Sequence, residues 1–190
     1  KENIMLKNLY LICGESGCGK STVAEELNKN YGYEILRSYT TRPKRHEEDI
    51  DHTYITEEEY QQLPNKVATT LFNDYHYCCT KEQLETADLY VIDKDGINTL
   101  KANYAGERKL VVIRLKAAGF IRAERMMERG DGAVKALERI RHDKVAFQGI
   151  EKITDYTVEA RYDLIQVVHS VHRIIQIEEG DIDDKEIETV

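Results

Sequence analysis

Apolar residues cluster along the chain in short runs separated by amphipathic stretches. The runs cover 8–13, 34–39, 88–93, 109–115 and 162–168. Those at 88–93 (Asp-Leu-Tyr-Val-Ile-Asp) and 109–115 (Lys-Leu-Val-Val-Ile-Arg-Leu) are almost continuously apolar, as strands buried on both faces are. Between them the period lengthens. Val23, Ala24 and Leu27 lie at i, i+1 and i+4, which predicts a helix over 20–30. Further helices are predicted at 95–103, 118–129, 133–148 and 170–177. Strand and helix in alternation predict an α/β fold with a parallel sheet between helical layers.

Residues 40–87 break the alternation. They are polar and turn-rich, and they contain both prolines, Pro43 and Pro64. Two short helix starts fall here, Thr56-Glu-Glu-Glu59 and Thr80-Lys-Glu-Gln83, each a capping box. The segment is expected to form a small lobe inserted after the second strand.

The first strand runs into Gly14-Glu15-Ser16-Gly17-Cys18-Gly19-Lys20-Ser21-Thr22, which fits G-x-x-x-x-G-K-[ST] between a strand and a helix. The glycines permit backbone angles and close approaches that a Cβ would block. Successive N–H groups can then line a phosphate site, helped by the positive end of the following helix. Lys20 can reach the β- and γ-phosphates and the Ser21 hydroxyl can ligate Mg²⁺. The motif predicts a bound nucleoside triphosphate, with ATP and Mg²⁺ the expected pair.

Composition narrows the class. The chain has 190 residues, 41% hydrophobic and 33% charged, which suits one globular domain. Its net charge of −8 argues against a nucleic-acid polymer as partner. Residues 178–190 carry seven acids and one Lys and are expected to be a solvated tail. No apolar run reaches the roughly 20 residues of a membrane span, and the first residues lack a signal-peptide core. A cytoplasmic protein that acts on small molecules is expected. Cys13, Cys18, Cys78 and Cys79 show neither a disulfide framework nor a common zinc spacing. Cys18, inside the loop, is a candidate low-pKa thiol.

A second phosphate signal lies past the second strand. Arg37-Ser38-Tyr-Thr40-Thr41-Arg42-Pro43-Lys44-Arg45-His46 gathers positive charge and hydroxyls. Arg42 and Arg45 suit forked hydrogen bonds to a phosphate group. A third signal is Arg122, Arg125 and Arg129 on one helix face, then Gly130-Asp131-Gly132, then Arg139 and Arg141.

Ser38-x-Thr40-Thr41-Arg42-x-x-Arg45, then Asp51-His52-Thr53-Tyr54, resembles the guanylate kinase signature S-x-T-T-R-x-x-R followed by D-Y-x-F. The resemblance extends from about residue 8 to about 175. It implies a P-loop core (1–39, 88–117 and 142–177), a monophosphate-binding lobe (40–87) and a helical lid (118–141). It implies that Ser38, Arg42, Arg45 and Tyr77 hold the acceptor's phosphate, with His52 where the family has Tyr. It implies that Arg125, Arg129 and Arg139 join Lys20 around the transferring group, with Arg141 the alternative to Arg139. Asp93 matches a guanine contact. Ala68 stands where the family's guanine-reading Glu falls, and Cys79 where its Ser or Thr falls. Val167-Val168-His169 stands at the family's Asn-Asp, at the end of the last strand.

The function implied is transfer of a phosphoryl group from ATP to a nucleoside monophosphate, GMP first. The departures at Ala68 and Cys79 leave open another phosphorylated acceptor, such as a different nucleotide or a ribose phosphate. A non-catalytic guanylate-kinase-like interaction module is the third reading, and the complete phosphate loop argues against it. No N-K-x-D motif suggests a GTPase.

Overall fold

The computed structural model describes residues 6–44, 47, 49–72, 74–161 and 163–182. Five strands form a parallel sheet: β1 (Leu9–Cys13), β2 (Ile35–Leu36), β7 (Leu89–Val91), β8 (Leu110–Lys116) and β9 (Tyr156–Glu159). Their order is β2-β7-β1-β8-β9, with every neighbouring pair parallel. Central β1 is buried along its length. Tyr10 and Ile12 face one apolar cluster, with Val23, Leu27 and Val171; Leu9, Leu11 and Cys13 face the other, with Ile97 and Leu100. The result is the expected three-layer α/β/α arrangement.

Helices α1 (Lys20–Tyr31), α4 (Lys94–Asn103) and α7 (Leu164–Glu179) cover the sheet. α1 buries the stripe Val23, Ala24 and Leu27 and stops at Gly32, whose φ of 80° lets its N–H reach Asn28 O. α5 (Gly119–Glu128) and α6 (Ala133–Ala146) form a helical hairpin joined through Gly130 and Gly132.

The polar insert builds a second sheet. Its strands are β3 (Tyr39–Thr40), β4 (Thr53–Tyr54), β5 (Lys66–Phe72) and β6 (Tyr75–Thr80), ordered β4-β3-β6-β5. Both capping boxes form as expected, Thr56 opening α2 (Glu57–Gln62) and Thr80 opening α3 (Lys81–Thr86).

Two expectations need correction. The apolar run 34–39 is not one strand. It splits into β2 and β3, which belong to different sheets, so the chain crosses between them at Arg37 and Ser38. The run 162–168 is not the last strand, and Val167-Val168-His169 is not a strand end. Asp163 accepts hydrogen bonds from the N–H groups of Ile165 and Gln166 and opens α7. Val167, Val168, Val171 and Ile175 then form one buried helical stripe. The last strand is the shorter, more polar β9.

Candidate functional site

The loop 14–19 leaves β1 and enters α1. Its conformation depends on glycine. Gly14 has φ 143°, and a Cβ there would lie 2.3 Å from Leu115 O. Gly17 has φ 79°, and a Cβ there would lie 2.6 Å from Arg122 O. Lys20 Nζ donates to Gly14 O at 2.7 Å and Glu15 O at 3.2 Å, which holds its ammonium at the loop. The Glu15 side chain pairs with Arg114 at 2.7 Å. Cys18 is 1% exposed, its Sγ 3.9 Å from Lys20 Nζ. A thiol that buried is closed to bulky reagents, against the reactive thiol entertained from sequence.

Gly14, Ser16, Gly17, Lys20 and Ser21 form one wall of a cleft of about 750 Å³. Across it stand Ser38, Asp51, His52 and Tyr77 from the small sheet, and Asp93 from the end of β7. Arg129 and Arg139, from the α5/α6 hairpin, line the same cleft. Residues from four separate stretches thus meet around one space. Thr22 lies instead in a second hollow of about 410 Å³ on the outer side of the loop, with Cys18, Gly19, Arg125 and Arg161.

The small-sheet wall is organised by rings and hydroxyls. Ser38 Oγ lies 2.9 Å from His52 Nδ1, and His52 packs edge-on against Tyr54 and Tyr77. Arg42 is not among the residues that line the cleft. Its Nη2 donates to Asp49 Oδ2 at 3.2 Å and to the Tyr54 hydroxyl at 3.0 Å, and both members of the ion pair are nearly buried. Arg45 and His46 lie outside the described residues.

At the far end, Asp93 caps α4 by accepting from Gly96 N–H at 2.7 Å, and burial pushes its carboxyl above the usual range. Ala68 lines the cleft from an irregularity in β5, buried at φ 49°. Cys79 does not line the cleft, contrary to expectation. It is fully buried, its thiol donates to Val67 O at 3.6 Å, and burial pushes it up to about 12. The positions expected to read a guanine edge therefore present a methyl group and a hidden thiol.

In the hairpin, Arg129 pairs with Asp131 and Arg139 Nη1 lies 3.8 Å from the same carboxylate, so Asp131 holds the two cations together. Arg125 points to the second hollow, donating to the carbonyls of Cys18 and Ala160. Arg141 is exposed and lines neither space. Arg122 is buried and bonded to Asp143. Sequence reasoning missed Asp143, and also Arg37, which lines the cleft with its Nη2 donating to Glu25 at 2.7 Å. Neither stands in a recognisable local motif. Among the described residues, no group of three or more His, Cys, Asp or Glu could hold a metal ion, and no helix is long and apolar enough to cross a membrane.

Comparison with known proteins agrees with this arrangement. The model of the AAA domain family matches residues 11–146. The guanylate kinase of Thermotoga maritima is 48% identical over 59 residues, 30% of this chain and 28% of that protein. That of Fusobacterium nucleatum is 38% identical over 56 residues, 28% of this chain and 30% of that protein. These two relatives are thus matched over less than a third of their own length. That of Helicobacter pylori is 26% identical over 144 residues, 70% of this chain and 69% of that protein. A solved guanylate kinase from Anaplasma phagocytophilum superposes with TM-score 0.64 at 19% identity, covering 92% of this chain and 87% of its own. A gluconokinase from Sinorhizobium meliloti gives TM-score 0.53 at 16% identity, covering 94% and 97%. At such identities the two structures speak to the fold alone. The chain belongs to the AAA domain family, as a guanylate-kinase-like member of it.

Proposed function

We propose that this guanylate-kinase-like chain transfers the γ-phosphoryl group of ATP to a nucleoside monophosphate, with GMP the first acceptor to test. One observation carries the reading: the phosphate loop with Lys20 and the wall of Ser38, His52 and Tyr77 face each other across one cleft that Arg129 and Arg139 also line. A cleft with a triphosphate seat on one side and a polar wall on the other suits in-line transfer between two phosphates.

In this reading residues 40–87 form the monophosphate lobe and 118–141 the lid. An acceptor phosphate oxygen attacks the γ-phosphorus, and the bond to the β–γ bridging oxygen breaks. The acceptor oxygen is already anionic, so no general base is required. Lys20 and the loop N–H groups neutralise the donor phosphates, and Arg129 and Arg139 answer the charge that builds on the transferring group. Ser38, His52 and Tyr77 form the acceptor end, and Arg42 supports that wall from behind through Asp49 and Tyr54. The Ser21 hydroxyl, a hard oxygen donor at the loop's edge, suits Mg²⁺, which when bound would screen the polyphosphate charge.

A second reading rests on the buried Cys79 and the methyl of Ala68. With no carboxylate at that point, the same chemistry would serve another phosphorylated acceptor. A coupled assay over a panel of nucleoside monophosphates and sugar phosphates separates the two. GMP turned over no faster than the others overturns the first reading. No ATP-dependent transfer to any acceptor overturns both.

A further inference from the structure

We infer that Asp143 and Arg122 form a neutral clamp that sets the phosphate loop for the triphosphate, making both positioning residues of the donor site. The inference rests on the loop being the seat of ATP, as proposed above.

Asp143 comes from the last turns of α6 and Arg122 from the first turns of α5, and both are nearly buried. They converge on the Ser16 peptide units. Asp143 Oδ2 accepts from Ser16 N–H at 2.8 Å, and Oδ1 accepts from the Ser16 hydroxyl at 3.3 Å. Arg122 Nε donates to Ser16 O at 2.8 Å, and its Nη2 donates to Asp143 Oδ2 at 2.5 Å. His142 Nδ1 lies 4.0 Å from Asp143 Oδ1. One residue of the loop thus has its N–H, carbonyl and hydroxyl all held by two helices more than 100 positions downstream.

The geometry has a directional consequence. A trans peptide points its N–H opposite its carbonyl. Fixing Ser16 C=O on Arg122 therefore fixes the direction of Gly17 N–H, at the start of the turn that must face phosphate oxygens. Gly17 packs against the Arg122 backbone so closely that no side chain fits there.

The charge arithmetic is equally specific. Asp143 lines the cleft beside the loop. Alone, a buried carboxylate there would repel a polyphosphate. Paired with Arg122 it is neutral and still supplies two acceptors. The guanidinium of Arg122 is in turn consumed by the clamp, which separates its role from that of Arg129 just past the end of α5.

The test is calorimetric binding of a non-hydrolysable ATP analogue with Mg²⁺ to the full chain, to Arg122→Met, to Asp143→Asn and to the double variant. Asp143→Asn keeps the shape, and its amide oxygen can still accept from Ser16 N–H and Arg122, but the carboxylate charge that answers the guanidinium is gone. It should weaken binding about 10-fold, as expected for loss of a charged hydrogen bond. Arg122→Met bares the carboxylate and should weaken it about 100-fold. The double variant should bind more tightly than Arg122→Met alone, because the uncompensated charge is gone. Simple misfolding would lower the bound stoichiometry and the melting temperature and leave the affinity of the folded fraction unchanged. Should Arg122→Met fail to fold, Asp143→Asn alone decides. Affinities within twofold of wild type, or a double variant weaker than Arg122→Met, would overturn the clamp. A wild-type chain that does not bind the analogue sinks the ATP reading itself.

Discussion

The two walls of the cleft are made of different material. The donor wall is mostly main chain: a glycine loop springing from β1, a strand buried along its whole length at the centre of the parallel sheet. The acceptor wall is mostly side chains on a small sheet whose β3 and β4 have two residues each. The donor wall takes its shape from its glycines, with Lys20 supplying the charge. The acceptor wall can change its chemistry one side chain at a time. The departures follow that division: the loop motif is intact, while Ala68, Cys79 and His52 replace the residues the family resemblance implies.

The sharpest test of this contrast is Arg42. Replacing it with Leu takes the cation from the buried Asp49 carboxylate and should cost about 3–5 kcal/mol in urea unfolding. Recovery of most of that loss in Arg42→Leu/Asp49→Leu would show that the pair is structural first. A loss under about 1 kcal/mol would show that the small sheet does not lean on this pair. Next is Lys20→Met. It should lower the rate of phosphoryl transfer about 100- to 1,000-fold, as loss of one preorganised donor does, with the unfolding midpoint unchanged. A large change in stability would mean that the donor wall also leans on side chains.

Ala68 gives a smaller effect. Its φ of 49° is unfavourable for any residue with a Cβ, so Ala68→Gly should stabilise the chain by about 0.5–1 kcal/mol in thermal unfolding. The smallest concerns Asp93. Burial raises its carboxyl pKa in the folded chain, so the folded state holds that proton more tightly than the unfolded one. Wild type therefore loses stability as pH rises through the folded pKa, whereas Asp93→Asn, which can still cap α4, does not. Unfolding curves from pH 4 to 7 should show the variant gaining on wild type with rising pH. A gain on acidification would reverse the assignment.

Much of the scaffold was legible along the chain because its signals are local. The glycine loop, the capping boxes at Thr56 and Thr80, and the apolar runs of β1, β7 and β8 each declare themselves within about ten residues. The 162–168 run misled because the β-branched Ile165, Val167 and Val168 resemble a strand over so short a window. The deciding feature is the cap at Asp163. The site was less legible wherever a partner is remote. Arg122 looked equivalent to Arg125 and Arg129, and only the fold brings Asp143 to it. Arg42 looked like a free phosphate reader, and only the fold shows Asp49 and Tyr54 holding it.

The position of β1 also bears on how the chain can be made. Its partners are Leu89 to Val91 on one side and Leu110 to Arg114 on the other, and the loop that follows it is gripped at Ser16 by Asp143. The ribosome therefore delivers the phosphate loop first and its supports last. Both edges of β1 stay open until β7 emerges and one until β8 does, and the loop lacks its grip at Ser16 until Asp143, 127 positions on, has followed. The expected vulnerability is one of synthesis: nascent chains halted before α6 should bind chaperones and be cut by proteases, and those extended past it should resist.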